Sequence, residues 1–117
     1  MTAVDQIISK VAALGVPGLI LVVAVSVSGF AGAAAITSSL ALLGGPFGML
    51  GGIAVLGILG LISQGIAEYG FDRIFLGVVD ELRKQGKSKS DIERELNKYP
   101  ISGNLKAKVK EYLNQYN

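Results

Sequence analysis

Apolar and polar residues alternate at helical spacing at both ends of this chain and do not alternate at all through its middle. Near the N-terminus Val4, Ile7, Ile8 and Val11 fall on one side of a helix, and Thr2 with Asp5 three residues on supplies a start signal. From Val11 to Ala67, 57 consecutive residues contain no Asp, Glu, Lys, Arg or His. About a quarter of an ordinary globular sequence is charged, so a water-exposed stretch of this length would carry roughly a dozen charges or more. The solvent that suits it is lipid. As one straight helix it would run roughly 85 Å, against a hydrocarbon core of about 30 Å, so it must turn.

The best break is Leu43-Gly44-Gly45-Pro46-Phe47-Gly48. Proline removes a backbone donor, glycine is a poor helix former, and the residue before proline is pushed out of the α region. The expected fold is all-α: a membrane-type hairpin over residues 1–67 with its turn at 44–48, centred on Gly45 and Pro46, followed by a tail over 68–117. The first arm runs from about Val11 to Leu43. It exceeds the 20 or so residues that a span needs, and is expected to tilt, protrude or bend near Gly29 and Gly32. The second runs from about Met49 to Ala67 and holds nine Leu, Ile or Val residues. At about −0.3 to −0.6 kcal/mol each they give roughly −3 to −5 kcal/mol towards insertion before polar and glycine costs. That margin is small, and partner helices are expected to help hold the arm.

Gly44, Gly48, Gly52 and Gly60 recur at multiples of four, with Leu56 in the gap, and make a smooth strip on a helix. Small residues at that spacing let helix backbones approach closely where lipid provides no hydrophobic drive. Ser28 and Gly32, with Ala24, form a weaker equivalent in the first arm. The strip predicts packing of the arms on each other or on copies of themselves, hence a homo-oligomer. Ser63 and Gln64 are the polar residues near the end of the second arm, placed to line a pore, to bond across an oligomer interface, or simply to sit at the membrane surface.

After Ala67 charge returns. Phe71, Ile74, Phe75, Val78, Val79 and Leu82 share one face of a helix over 68–84, with Asp72, Arg73, Asp80, Glu81, Arg83 and Lys84 mostly opposite. Gly86 ends it. Ser90 followed by Glu93 predicts a capping box and a helix from Asp91 to about Tyr99, stopped by Pro100. Ser102 or Asn104 starts a last helix with Leu105, Val109, Tyr112, Leu113 and Tyr116 on a face. These three short amphipathic helices have small apolar faces and are expected to lean on a neighbour, on copies of themselves or on the membrane. Nine basic residues between Arg83 and Lys110 face only Asp91, Glu93 and Glu95. Arg83, Lys84, Lys87 and Lys89, nearest the spans, are the expected contacts to anionic lipid, and with two spans both termini lie on the cytoplasmic side. Without aromatic interleaving or a binding motif, nucleic acid is not an expected partner.

Absent chemistry narrows the function. There is no cysteine or histidine, which removes disulfides, thiol catalysis, the commonest general base and the commonest metal ligand. No catalytic, cofactor or metal site is expected, and the chain is not read as an enzyme. A cleaved secretory leader over residues 1–35 fits poorly, because its apolar part is too long and its lead is not clearly basic. In plan, the hairpin and charged tail are similar to phage holins, and the apolar arms resemble the membrane-inserting hairpins of colicin-like toxins. No diagnostic motif is shared with either. The rotor-ring subunit of ATP synthases has a similar outline but needs a mid-membrane acid and a polar loop, which the arms lack. The expected function is that of a pore-forming, holin-like or toxin-like effector that self-associates and permeabilises a membrane. The alternatives are an anchor displaying the tail to a protein partner and a structural assembly whose copies bury each other's arms.

Overall fold

The computed structural model describes residues 2–41 and 45–115, with side chains for all of these except 38–41 and 45–55. The described residues form helices α1 (Ala3–Ala12), α2 (Val16–Ala41), α3 (Gly45–Tyr69), α4 (Phe71–Lys84), α5 (Lys89–Leu96) and α6 (Gly103–Gln115), and no strand. The all-α expectation holds. Among the described residues one helix, Val16–Thr37, is long and apolar enough to cross a membrane, with a mean hydropathy of 2.4, where the sequence reading expects two spans.

Several boundaries move. The apolar arm begins at Val16, not at Val11, because Ala13 to Gly15 form a turn that closes α1 as a helix of its own; Gly15 there has φ +75°. The N-terminal capping box is present, with the Asp5 amide donating to Thr2 Oγ1 and the Thr2 amide donating to the Asp5 carboxylate. Gly45 and Pro46 are not the hairpin turn. They open α3, where proline is tolerated because the first turn of a helix needs no intrahelical donor. Residues 42–44, including Gly44, lie outside the described residues. Gly70, at φ +91°, separates α3 from α4, so the amphipathic helix starts at Phe71 and not at Glu68.

In the tail, Ser88 and not Ser90 caps α5, and Asp91 rather than Glu93 completes the box: Asp91 N–H donates to Ser88 Oγ and Ser88 N–H to the Asp91 carboxylate. Starting two residues earlier, α5 buries Ile92 and Leu96. Ser102 Oγ accepts from the Leu105 amide at the start of α6.

The core is a single cluster that runs from Val4 to Leu113. Its axis is the first half of α2. Val16 and Leu19 to Val23 are all 0% exposed, including five successive positions, so this half is covered on every side. α2 touches each of the other helices, and α3 most extensively. Around it lie the apolar faces that the sequence left without a partner: Val4, Ile7, Ile8 and Val11 of α1, Ile74, Phe75, Val78 and Leu82 of α4, Ile92 and Leu96 of α5, Val109 and Leu113 of α6. The neighbour on which the tail leans is the hairpin itself. Two glycines allow α1, α3 and α4 to come close. A Cβ on Gly65 would stand 3.0 Å from Ile74 and 3.3 Å from Ile7, and one on Gly77 would overlap Ile8, so α1, α3 and α4 meet there almost backbone to side chain. Phe71, Phe75 and Tyr112 join α4 to α6, with Phe71 and Tyr112 rings 4.7 Å apart and Phe75 and Tyr112 5.8 Å.

Candidate membrane-contacting surface

The burial of α2 stops abruptly. Residues up to Val25 are buried, whereas Ser26 to Ala31 are all exposed, with Val27 at 51% and Phe30 at 44%. Gly29 marks this passage. Its φ of +74° and ψ of −176° break the helix in two, a conformation that a Cβ would strain. The bend expected near Gly29 and Gly32 is therefore present at Gly29. The kink also carries Ser28 Cβ into the place a side chain on Gly32 would need. Ser28 and Gly32 thus serve the kink and, beyond it, line a groove against α6.

On the second arm Leu56 is 45% exposed, while Leu59 and Ile62 are fully buried. The base of α2 is wrapped by α1, α4, α5 and α6 and that of α3 by α1 and α4, while Ser26 to Ala31 of α2 and Leu56 of α3 face outward; beyond them Ala33 of α2 is again fully buried. Gly60, the one member of the glycine strip whose surroundings are described, has nothing within 4 Å of where a Cβ would be, and neither has Gly57, which is outside the strip. The side chains around Gly48 and Gly52 lie outside the described residues. Gln64 is exposed and donates to Glu68 at 3.3 Å, an ordinary one-turn contact along α3. Ser63 Oγ is buried with no hydrogen-bond partner.

The cations proposed for lipid contact are placed at the other end of the hairpin. Arg83 and Lys84 close α4, and the following Gln85 donates to the Ala12 carbonyl at the α1–α2 junction. Lys84 pairs with Glu81 at 3.3 Å. Lys87 is turned inward on Glu95 at 2.6 Å, and Tyr99 donates to the same carboxylate at 3.2 Å. Burial, reinforced by the Glu95 charge, pushes the Tyr99 hydroxyl up to about 12. Lys89 is the first residue of α5. The basic residue beside the outward-facing segment is instead Lys108 of α6, which borders the groove that Val27, Ser28 and Gly32 line on α2.

Val27, Phe30 and Lys108 are residues that sequence reasoning did not single out, and Leu56 was read only as the gap in the glycine strip. Without periodicity in the uncharged stretch, nothing in it distinguishes wrapped positions from bare ones. The available signal lay elsewhere, in the amphipathic faces at both ends, which needed a neighbour to cover them. No protein-family model, curated protein or solved structure matches the chain.

Proposed function

We propose that the chain is a membrane-inserting helical protein that docks through the bare segment of its hairpin and, once the wrapping helices open, self-associates and permeabilises the bilayer. The observation that carries this reading is the change along one uncharged helix from complete burial at Leu19 to Val23 to half-exposed Val27 and Phe30, matched on the facing arm by Leu56. An interface for a protein partner is usually rimmed by polar and charged groups. The 57 residues that hold this surface contain no charge, and lipid is the surrounding that suits them.

The wrapped form cannot enter hydrocarbon whole. α1 carries Asp5 and Lys10, and α4 carries Asp72, Arg73, Asp80, Glu81, Arg83 and Lys84. At about 2.5 kcal/mol or more per charge in mid-membrane, these eight alone would cost roughly 20 kcal/mol. Docking therefore uses the bare segment first. A full span by α2, and by α3 beside it with both chain termini on the cytoplasmic side, follows only when α1 and α4 swing away about Gly15 and Gly70. Released, they are amphipathic helices suited to the membrane surface. The open face at Gly57 and Gly60 supports self-association through α3. The tail's apolar faces are engaged on the hairpin, which weighs against an anchor displaying an independent module.

The test is dye release and vesicle flotation with the full chain and sealed anionic liposomes. Val27→Glu and Phe30→Glu place charges at positions already in water, so the fold is retained. Each should lower membrane partition roughly 70- to 400-fold, the equivalent of about 2.5–3.5 kcal/mol. Partition and release equal to those of the parent chain would sink the proposal.

A further inference from the structure

The way α1 lies against α4 restricts how either can leave the hairpin. The Thr2 hydroxyl and amide, and after them the Arg73 charge, lower the pKa of the Asp5 carboxyl, which places Arg73 of α4 near the start of α1. Further along, a Cβ on Gly77 would overlap the Ile8 side chain. At the ends of both helices the Gln85 side-chain amide donates to the Ala12 carbonyl at 3.2 Å. Residue numbers rise together along this series, so the two helices run parallel. Their pivots lie at opposite ends: α1 joins the hairpin at its end, through the turn at Gly15, and α4 at its start, through Gly70. A rigid pair held at both points can turn only about the line between them. That line leaves the start of α1 and the end of α4 on opposite sides, so raising one would press the other into the hairpin. The helices must part from each other to open.

Gln85 stands where both movements break a bond. Its backbone amide closes α4 by donating to the Glu81 and Leu82 carbonyls, and the Lys87 amide returns to the Leu82 carbonyl around Gly86 at φ +95°, so the end of α4 is fixed in place. From there its side chain ties the end of α4 remote from Gly70 to the last residue of α1, whose carbonyl also accepts from the Gly15 amide at the pivot. We propose that Gln85 is the latch of the wrapped form, coupling the departure of α4 to that of α1 so that the base of the hairpin is uncovered in one event. Whichever helix leaves first breaks the bond, and the second then leaves without that cost. This rests on the reading that the wrapping helices open, and adds what holds them shut.

The test is hydrogen exchange of the isotope-labelled full chain in water, followed amide by amide for the parent, Gln85→Met and Gln85→Glu. Gln85 is exposed and both replacements keep its reach, so the core is undisturbed while the donor is lost. Amides of Ile7, Ile8 and Val11 in α1 and of Val78, Val79 and Leu82 in α4 should exchange about 2- to 10-fold faster in both variants, the range that loss of one hydrogen bond implies. Leu19 to Val23 of α2 should keep the parent's rates. Unchanged exchange in α1 and α4, a rise confined to one of them, or an equal rise through Leu19 to Val23 would overturn the proposal. Dye release from anionic vesicles separates the latch from the reading beneath it. Faster exchange in the variants with no release from any of the three chains fails only the permeabilising reading, and release by all three with exchange unchanged fails only the latch.

Discussion

At the scale of single residues, Gly18 and Gly60 make opposite demands. A Cβ on Gly18 would collide with the backbone carbonyl of Val11, where α2 starts against the end of α1, and a backbone cannot move aside as a side chain can. Gly18→Ala should therefore cost about 1–3 kcal/mol, seen as a lower denaturant midpoint. At Gly60 the space is open, and Gly60→Ala should leave the monomer unchanged or stabilise it by up to about 1 kcal/mol through helix propensity. A strip of glycines is visible in a sequence; which of them is enclosed depends on partners that spacing does not reveal. The cap of α5 teaches the same lesson. Lys87-Ser88-Lys89-Ser90-Asp91-Ile92-Glu93 offers two Ser-x-x-acid boxes two residues apart, and burial of Ile92 and Leu96 goes with the first. Ser88→Ala should lower stability by about 1 kcal/mol and Ser90→Ala should be nearly silent in thermal unfolding.

At the scale of elements, the amphipathic helices were legible because their 3.6-residue pattern is strong: the face read from Phe71 to Leu82 is the one α4 buries apart from half-buried Phe71. The separate α1 was not, since the apolar run passes through Val11 to Val16 without interruption in residue type and only Gly15 marks the turn. The caps also give these helices a pH dependence. Hydrogen bonds from the Thr2 hydroxyl and then its amide hold the Asp5 carboxyl below its ordinary 3.8, and the Ser88 amide and hydroxyl, followed by the Arg94 charge, do the same for Asp91. Depressed folded-state values mean that this stability is present above the unfolded value and is lost as pH falls through the folded one. Unfolding monitored by circular dichroism should show stability declining below about pH 3.8, and Asp5→Asn with Asp91→Asn should flatten that acid limb. The opening of α1 from α4 is testable too. The chain has no cysteine, so Ile8→Cys with Gly77→Cys, where a Cβ on α4 would meet the α1 side chain, introduces its only thiols. The oxidised form should dock on vesicles without releasing dye, and reduction should restore release. Release from the locked form would show that the wrapping helices need not open.

At the scale of the whole molecule, the chain covers the base of an uncharged hairpin with its own amphipathic ends and leaves Ser26 to Ala31 of α2 and Leu56 of α3 exposed. The sequence showed both components, but not that the tail would fold back on the hairpin, because composition alone does not tell burial in protein from burial in lipid. The chain lacks tryptophan, which makes the decisive position directly observable. The measurement is the fluorescence of Phe30→Trp, half-exposed on α2, as sealed anionic vesicles are added. Membrane docking through the bare segment predicts a blue-shifted emission, shielded from aqueous quenchers and quenched by lipids brominated in their acyl chains. An emission that stays at its water-exposed wavelength and remains open to aqueous quenchers, with vesicles in excess, would contradict it.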